Sequence, residues 1–300
     1  MSMVEMKNLV ALEDATPLLE DPSALREFAR REGYLYFHRL LSPGALLNLR
    51  EKALAVCQAH GWLDANAPLL EGRVRESAFA VEGLEGGWPE FYKDIQKIRA
   101  FHALALSPEL LRVFRLLFNS AVLAHSRNIL RAIFPGVPLH TTPPHQDYIH
   151  ILGTQDTWTA WIPCGDCPEE LGGLSLVPGS YRWGVLPTQQ TYGAGGAAVE
   201  TPEDCPWAVA DYACGDVVIF HSLTVHQGRD NATRDRLRLS VDFRYQPLDQ
   251  PVQPSSLEPH MATTYKYSWE DVYAAWNTQG DSLPYYWKSQ PLHFEPVHKT

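Results

Sequence analysis

The sequence predicts a mainly β protein: a jelly-roll core, the two-sheet barrel also used by cupins, with helices added on its N-terminal side. Three observations predict it. From Ala121 onward the apolar stretches are short, at 122–134, 148–152, 158–163, 173–177, 183–186, 216–220 and 237–245. Gly, Pro, Asp and Asn punctuate them, the pattern of many short strands joined by turns, which two-sheet barrels share. Before Ala121 the apolar residues recur instead at helical spacing. Finally, no internal repeat or linker divides the 300 residues, and 45% hydrophobic content is ample for one large core. The chain reads as one domain: a helical region over 1–120, the jelly roll over 121–247, and an aromatic-rich covering segment over 248–300.

Residues 1–20 read as an irregular lead. Asp21-Pro22-Ser23 starts a helix that Gly33 stops. Residues 34–38 alternate as a strand. Ser42-Pro43 opens a helix to about His60, with Leu46, Leu47, Leu49, Ala53 and Val56 on its inner side. Residues 61–88 are loop-rich, with a strand signal at 74–81. A helix follows over 89–104, bearing Phe91, Ile95 and Ile98. Another starts at Ser107-Pro108-Glu109 and ends near Asn119, with Leu110, Leu111, Phe114 and Leu117 as core positions. Residues 187–212, with Gly193, Gly195 and Gly196, read as a long loop at the barrel mouth, either a lid or a surface insertion. A short helix is expected over 268–276, where the aromatic tail covers the barrel.

The formal net charge is −10, which argues against nucleic acid or an anionic membrane as the main partner. Five cysteines, an odd number, argue against a disulfide scaffold. Cys164-Gly-Asp-Cys167 is a lone CxxC, which could be a redox pair or half a zinc site, but no second CxxC follows, so loop cysteines after a strand are the expected reading. The N-terminus has no long apolar stretch before it turns acidic, and no run approaches ~18 apolar residues. A soluble, cytoplasmic protein acting on a small molecule is expected.

Chemistry concentrates between His145 and Ser240. In His145-Gln146-Asp147, residues two apart share a strand face, so the imidazole and carboxylate can converge. A distant His226 completes two histidines and one carboxylate, the triad that leaves open positions on non-haem Fe(II). Arg238 stands two residues before Ser240, on the same strand face. His221 competes with His226, and the spacing of five puts the two on opposite faces of a regular strand.

The stretch from Pro143 to Tyr245 resembles the phytanoyl-CoA dioxygenase family of Fe(II)- and 2-oxoglutarate-dependent oxygenases. The resemblance rests on P-P-H-Q-D at 143–147, T-A-W-I-P at 159–163, L-G-G-L-S-L-V-P-G-S at 171–180, G-D-V-V-I-F-H at 215–221 and R-L-S-V-D-F-R-Y at 238–245. It covers about a third of the chain. It implies a double-stranded β-helix, with His145, Asp147 and His226 as iron ligands and His221 as a pocket or supporting group. Arg238, preferred over Arg236, would hold the far carboxylate of 2-oxoglutarate together with Ser240. The usual spacing from the second histidine falls one residue short of Arg238, so the assignment rests on the R-x-S pattern. Trp161 would lie against the cosubstrate or in the core, and Asn128 near its other end. Tyr148, His150 and His221 are candidates for substrate contact, with a packed histidine the alternative at 150. His140 has no partner the sequence names. Arg244 is expected in a structural ion pair, with Asp242 or a loop carboxylate.

The expected cofactors are Fe(II), 2-oxoglutarate and O2, and the expected reaction is hydroxylation with release of succinate and CO2. Asp147 favours hydroxylation over halogenation, since related halogenases lack that carboxylate. Two rivals use the same residues: a His2Asp zinc hydrolase, which leaves Arg238 and Ser240 unexplained, and a cupin-like binding or sensing protein without turnover. An acyl-CoA substrate would want a basic rim, and the acidic sequence shows no basic cluster near the core. A metabolite or natural-product intermediate is therefore expected.

Overall fold

Asp21 accepts hydrogen bonds from the backbone N–H groups of Ser23 and Ala24, and Gly33 closes the same helix in the left-handed conformation. Local sequence alone sets both ends. The computed structural model describes residues 8–80, 82, 87–136, 141–191 and 193–295. In chain order the elements are β1 (Leu9–Ala11), α1 (Pro22–Glu32), β2 (Tyr34–Phe37), α2 (Pro43–Ala59), α3 (Trp88–Gln96), α4 (Arg99–Leu104) and α5 (Pro108–Phe118). Then come β3 (Val122–Ala124), β4 (Ile129–Ile133), α6 (Tyr148–Ile151), β5 (Trp158–Pro163), β6 (Leu174–Leu176), β7 (Thr188–Gln190) and β8 (Ala197–Val199). The chain continues through β9 (Trp207–Val209), β10 (Val217–His221), β11 (His226–Gly228), β12 (Arg238–Pro247) and β13 (Pro251–Val252). It ends with α7 (Ala262–Tyr265), α8 (Trp269–Tyr273) and β14 (His293–Phe294).

Two sheets form the expected double-stranded β-helix. The larger runs β2-β10-β5-β12-β3, with β4 pairing the first half of β12 beside β3. The smaller runs β1-β9-β6-β11. β12 shows how the large sheet divides its labour. Leu239, Val241, Phe243 and Tyr245 face one way, and Arg238, Ser240, Asp242 and Arg244 the other. The apolar face meets the helical layer: Tyr245 stacks on Phe114 of α5 at 3.9 Å, and Phe243 lies 5.8 Å from Phe101 of α4. The polar face is equally buried, because it lines the site.

Several local expectations are corrected. Residues 148–152 are not a strand but the short helix α6 and its end. The 122–134 stretch splits into β3 and β4 at a bend where Ser126 and Arg127 bond to the 255–257 turn. The 89–104 helix breaks at Lys97-Ile98 into α3 and α4. Residues 74–80 form only an isolated bridge, Leu63 with Val74, and Val81 lies outside the described residues. Residues 183–186 are not a strand: 180–183 form a 3-10 turn and 184–186 carry no regular structure. The 187–212 stretch is not a plain loop: it contains the β7–β8 hairpin and β9, which joins the small sheet. Leu47 is exposed and Leu111 only half-buried, while Ser42 makes no side-chain cap.

The tail forms its own apolar cluster, in which Trp269, Val272, Tyr273 and Trp287 close over Leu123 of β3. Ser268 and Asp271 cap α8 reciprocally. Among the described residues no helix is long and apolar enough to cross a membrane.

Two buried histidines brace the helical layer against the sheet. His102 bonds the Gln96 carbonyl and Asn128, and His125 bonds Gln246. Burial pushes both down to about 4. The unfolded chain takes up a proton at each near pH 6.5, whereas the folded chain refuses it until near pH 4. Stability is therefore expected to fall as pH falls through this window, by up to ~1.4 kcal/mol per pH unit for each histidine. Urea unfolding at pH 7, 6 and 5 checks this, and a flat profile would refute it.

Candidate active site

His145 and His226 meet because their backbones pair. Each donates its N–H to the other's carbonyl, at 2.9 and 3.0 Å, which extends the small sheet by one bridge beyond β11. Directly opposed residues share a face, and the two rings stand 4.1 Å apart. Asp147 joins them by a different route from the one expected. It does not continue a strand from His145 but turns into the first position before α6, with φ −64° and ψ −28°. The three side chains are almost fully buried, and their ligand atoms lie within 4.8 Å of one another.

Both imidazoles are oriented from behind. Nδ1 of His145 lies 2.8 Å from the Pro143 carbonyl, and Nδ1 of His226 lies 2.9 Å from the Thr224 carbonyl. A carbonyl only accepts, so each Nδ1 carries the proton and each Nε2 keeps its lone pair for a metal. Phe220 packs on His226 at 4.2 Å. Burial pushes His226 down to about 3, so it stays neutral at ordinary pH.

The large sheet supplies the support for Asp147. Thr159 of β5 donates to Oδ2 at 2.6 Å, and the Arg244 guanidinium grips both oxygens at 3.1 and 3.3 Å. Burial alone would raise the Asp147 carboxyl. The Arg244 charge, together with the neighbouring His145 and His226, outweighs burial and holds it well below the usual carboxylate range. The structural ion pair expected of Arg244 is thus with Asp147 itself. Asp242 pairs with Arg131 of β4, which also binds Glu82.

A narrow cavity joins these groups to Arg238. Its lining includes His145, Asp147, His226, Thr159, Trp161 and Arg238. Arg238 is 2% exposed. Its Nη1 donates to the carbonyls of Gly172 and Gly173, while its Nε has no partner, and neither does the buried hydroxyl of Ser240. These orphaned donors fit an anionic ligand inside the barrel. Arg236 does not face the interior as strand parity suggested: it precedes β12 and pairs with Glu170 at the surface.

Other expected site residues lie elsewhere. Asn128 sits on the helical side of the sheet, bonded to His102. His221 ends β10, its ring packed between Trp158 and Tyr181, with Nδ1 accepting from the Leu223 N–H. A turn separates it from His226, which starts a strand of the other sheet, so the single-strand parity argument does not apply. Tyr148 is half-buried and its side chain is not part of the cavity wall. His150 remains close, its ring 6.2 Å from that of His145. His140 lies outside the described residues. The cysteines are free, so the CxxC forms no disulfide. Sequence reasoning missed Arg131, Thr159 and Asp242. Their common signal was strand parity: Thr159 shares a face with Trp161, and Asp242 with Arg238.

Gly172 is the tightest joint of the site. Its φ is +73°, and a Cβ there would meet the carbonyl oxygens of Asp230 and Arg229 at 2.3 and 2.5 Å. Gly172→Ala should therefore destabilise the fold by roughly 2–5 kcal/mol, from backbone strain plus overpacking. Gly196→Ala meets nothing within 4 Å and should cost only about 1 kcal/mol. Urea unfolding of both variants measures the difference, and equal losses would contradict the packing argument.

Two histidines and a carboxylate with free Nε2 lone pairs, set inside a double-stranded β-helix, define a non-haem iron oxygenase. Residues 29–239 match the phytanoyl-CoA dioxygenase family, and the chain belongs to it. It is 29% identical over 260 residues to a 1-deoxypentalenic acid 11-beta-hydroxylase of Streptomyces exfoliatus, covering 82% of this chain and 88% of that one. A hydroxylase of the same name from Streptomyces arenae is 27% identical over 261 residues, with the same coverage. Among solved structures, the fold resembles the non-heme alpha ketoglutarate dependent epimerase SnoN from nogalamycin biosynthesis, with a TM-score of 0.53, 21% identity, and 79% and 86% of the two chains covered. It also resembles EctD from S. alaskensis, solved with 2-oxoglutarate and 5-hydroxyectoine, with a TM-score of 0.52, 16% identity, and 83% and 82% covered.

Proposed function

We propose that this chain is an Fe(II)- and 2-oxoglutarate-dependent hydroxylase of a small-molecule metabolite or natural-product intermediate, with His145, Asp147 and His226 holding the metal. Arg238 and Ser240 bind the far carboxylate of 2-oxoglutarate, and Trp161 walls it. The observation that carries the reading is one buried cavity lined by both the three-donor metal face and Arg238, whose Nε is orphaned, with the equally unpartnered hydroxyl of Ser240 two residues further along the same strand face. A zinc hydrolase would use the same three donors but gives those two groups no partner.

When bound, iron and 2-oxoglutarate supply the oxidant: one O2 and one 2-oxoglutarate convert R–H to R–OH, with succinate and CO2 released. The chain's own residues hold that chemistry in place. Nδ1–H bonds to Pro143 and Thr224 fix the two rings. Thr159 and Arg244 keep Asp147 ionised and aimed. Phe220 and Leu174 keep water from the cavity wall. Arg238 is pre-aligned by two glycine carbonyls, so little order is lost when it grips a carboxylate.

The Streptomyces relatives, named for hydroxylating 1-deoxypentalenic acid, support a compact polycyclic substrate. Five free cysteines suit the cytoplasm, where 2-oxoglutarate is a free metabolite. The test is 2-oxoglutarate turnover with Fe(II) against metabolite pools. Succinate formed in step with an oxygenated product supports the reading. Substrate hydrolysis with Zn(II) and no succinate would overturn it.

A further inference from the structure

The β7–β8 hairpin is built inside out. The strand β7 is exposed along its length, yet Ala194 at the tip is only 2% exposed. A hairpin on the surface ordinarily shows its tip to water. Here the tip turns into the molecule, on a run of glycines with φ of +115° at Gly193, +86° at Gly195 and +65° at Gly196. Such a run has no side chains to hold it off its neighbours.

Those neighbours belong to the site. A Cβ on Gly195 would stand 3.5 Å from Nε2 of His150 and 4.0 Å from Cγ2 of Thr142. Thr142 lines the metal cavity, and His150 is the ring next to His145. The hairpin is tied down on the same side, where the Val199 N–H donates to the Pro144 carbonyl at 2.8 Å, one residue before His145. The metal cavity, whose wall Thr142 helps to form, has about 20 Å³ of free space. One water needs ~10–15 Å³, so any organic ligand, 2-oxoglutarate included, has to move part of the lining as it enters.

We propose that the hairpin tip, Gly193–Gly196, together with His150, forms the roof of the substrate chamber, and that side-chain size at positions 194 and 195 sets the largest substrate that reaches the metal. This rests on the hydroxylase reading above. Substrate entry lifts the tip from His150 and Thr142. The chamber roof then presents one methyl group and bare backbone, a surface suited to a rigid, apolar ring system with few polar groups of its own. Adding bulk to the roof subtracts directly from the space beneath it, because the tip is backed by the hairpin strands.

Two measurements test the proposal. The first needs no substrate. In the Mn(II)-loaded protein, water proton relaxation reports access to the metal. Ala194→Asp, which places a charge in the buried tip, should lift the roof and raise relaxivity at least about twofold, with Ala194→Ser as the milder variant should Asp impair folding. Unchanged relaxivity in both would overturn the roof assignment. A wild-type protein that binds no Mn(II) would instead count against the metal-site reading. The second uses cyclohexanecarboxylic acid, decalin-2-carboxylic acid and 1-deoxypentalenic acid as one-, two- and three-ring probes of substrate-stimulated succinate formation. Ala194→Leu and Gly195→Val should reduce stimulation by the largest active probe about tenfold or more relative to the smallest. An equal loss across the probes would refute the size rule.

Discussion

His226→Ala is expected to abolish Fe(II)-dependent turnover and to lower Fe(II) affinity by more than about 100-fold. Supporting partners of metal ligands are commonly worth roughly 10–100-fold in affinity, and a direct donor should be worth more. The loss should leave the fold intact, because His226 holds its place through backbone bonds to His145 that alanine keeps. His145→Ala and Asp147→Ala should behave alike. His221→Ala is the control: its ring packs on Trp158 and Tyr181, so its removal should cost stability and keep the metal. Binding of Fe(II) followed by equilibrium dialysis distinguishes these outcomes. Metal loss in His221→Ala with retention in His226→Ala would move the ligand to position 221.

Arg238→Ala should raise the 2-oxoglutarate requirement by roughly ten- to a thousand-fold, the consequence of removing a buried, charge-assisted grip worth ~2–5 kcal/mol. Arg238→Lys should recover part of the loss, since an ammonium lacks the guanidinium fork. Arg236→Ala should change little, because Arg236 pairs with Glu170 at the surface. A 2-oxoglutarate titration of the Fe(II) enzyme, read by the absorbance of the chelate and by turnover, decides between them. The reverse ranking would transfer the role to Arg236.

The main core strands and two of the three candidate metal donors were legible in sequence because both depend on short-range signals. Alternation in R-L-S-V-D-F-R-Y marked β12, and H-Q-D marked two of the three donors. The path by which His145 and Asp147 converge was not legible. Asp147 leaves the strand geometry for a helix start, and what brings it back to the metal face is Thr159 and Arg244, 12 and 97 residues away. Arg131 was invisible for the same reason: its partners, Glu82 and Asp242, come from distant segments. Asn128 was misplaced because counting back from His145 gives position along the chain but not which side of β4 a residue takes. Helix breaks such as that at Lys97 also depend on what packs there, here Trp276 bonding the Lys97 carbonyl.

The two-faced burial of β12 has a consequence for how such a protein diversifies. Along this one strand, neighbouring positions answer to different selective demands. Leu239, Val241 and Phe243 are buried in the apolar core on the face turned away from the site, so exchanges among apolar residues of similar volume should leave catalysis untouched. Arg238, Asp242 and Arg244 bond the Gly172 and Gly173 carbonyls, Arg131 and Asp147, and Ser240 lies between them, so substitutions there disturb groups of the site. Descendants of this chain should therefore drift in a two-residue rhythm, with tolerant and intolerant sites alternating. A saturation library across 238–245, sorted first for folding and then for turnover, should show the two scores diverge at every second residue.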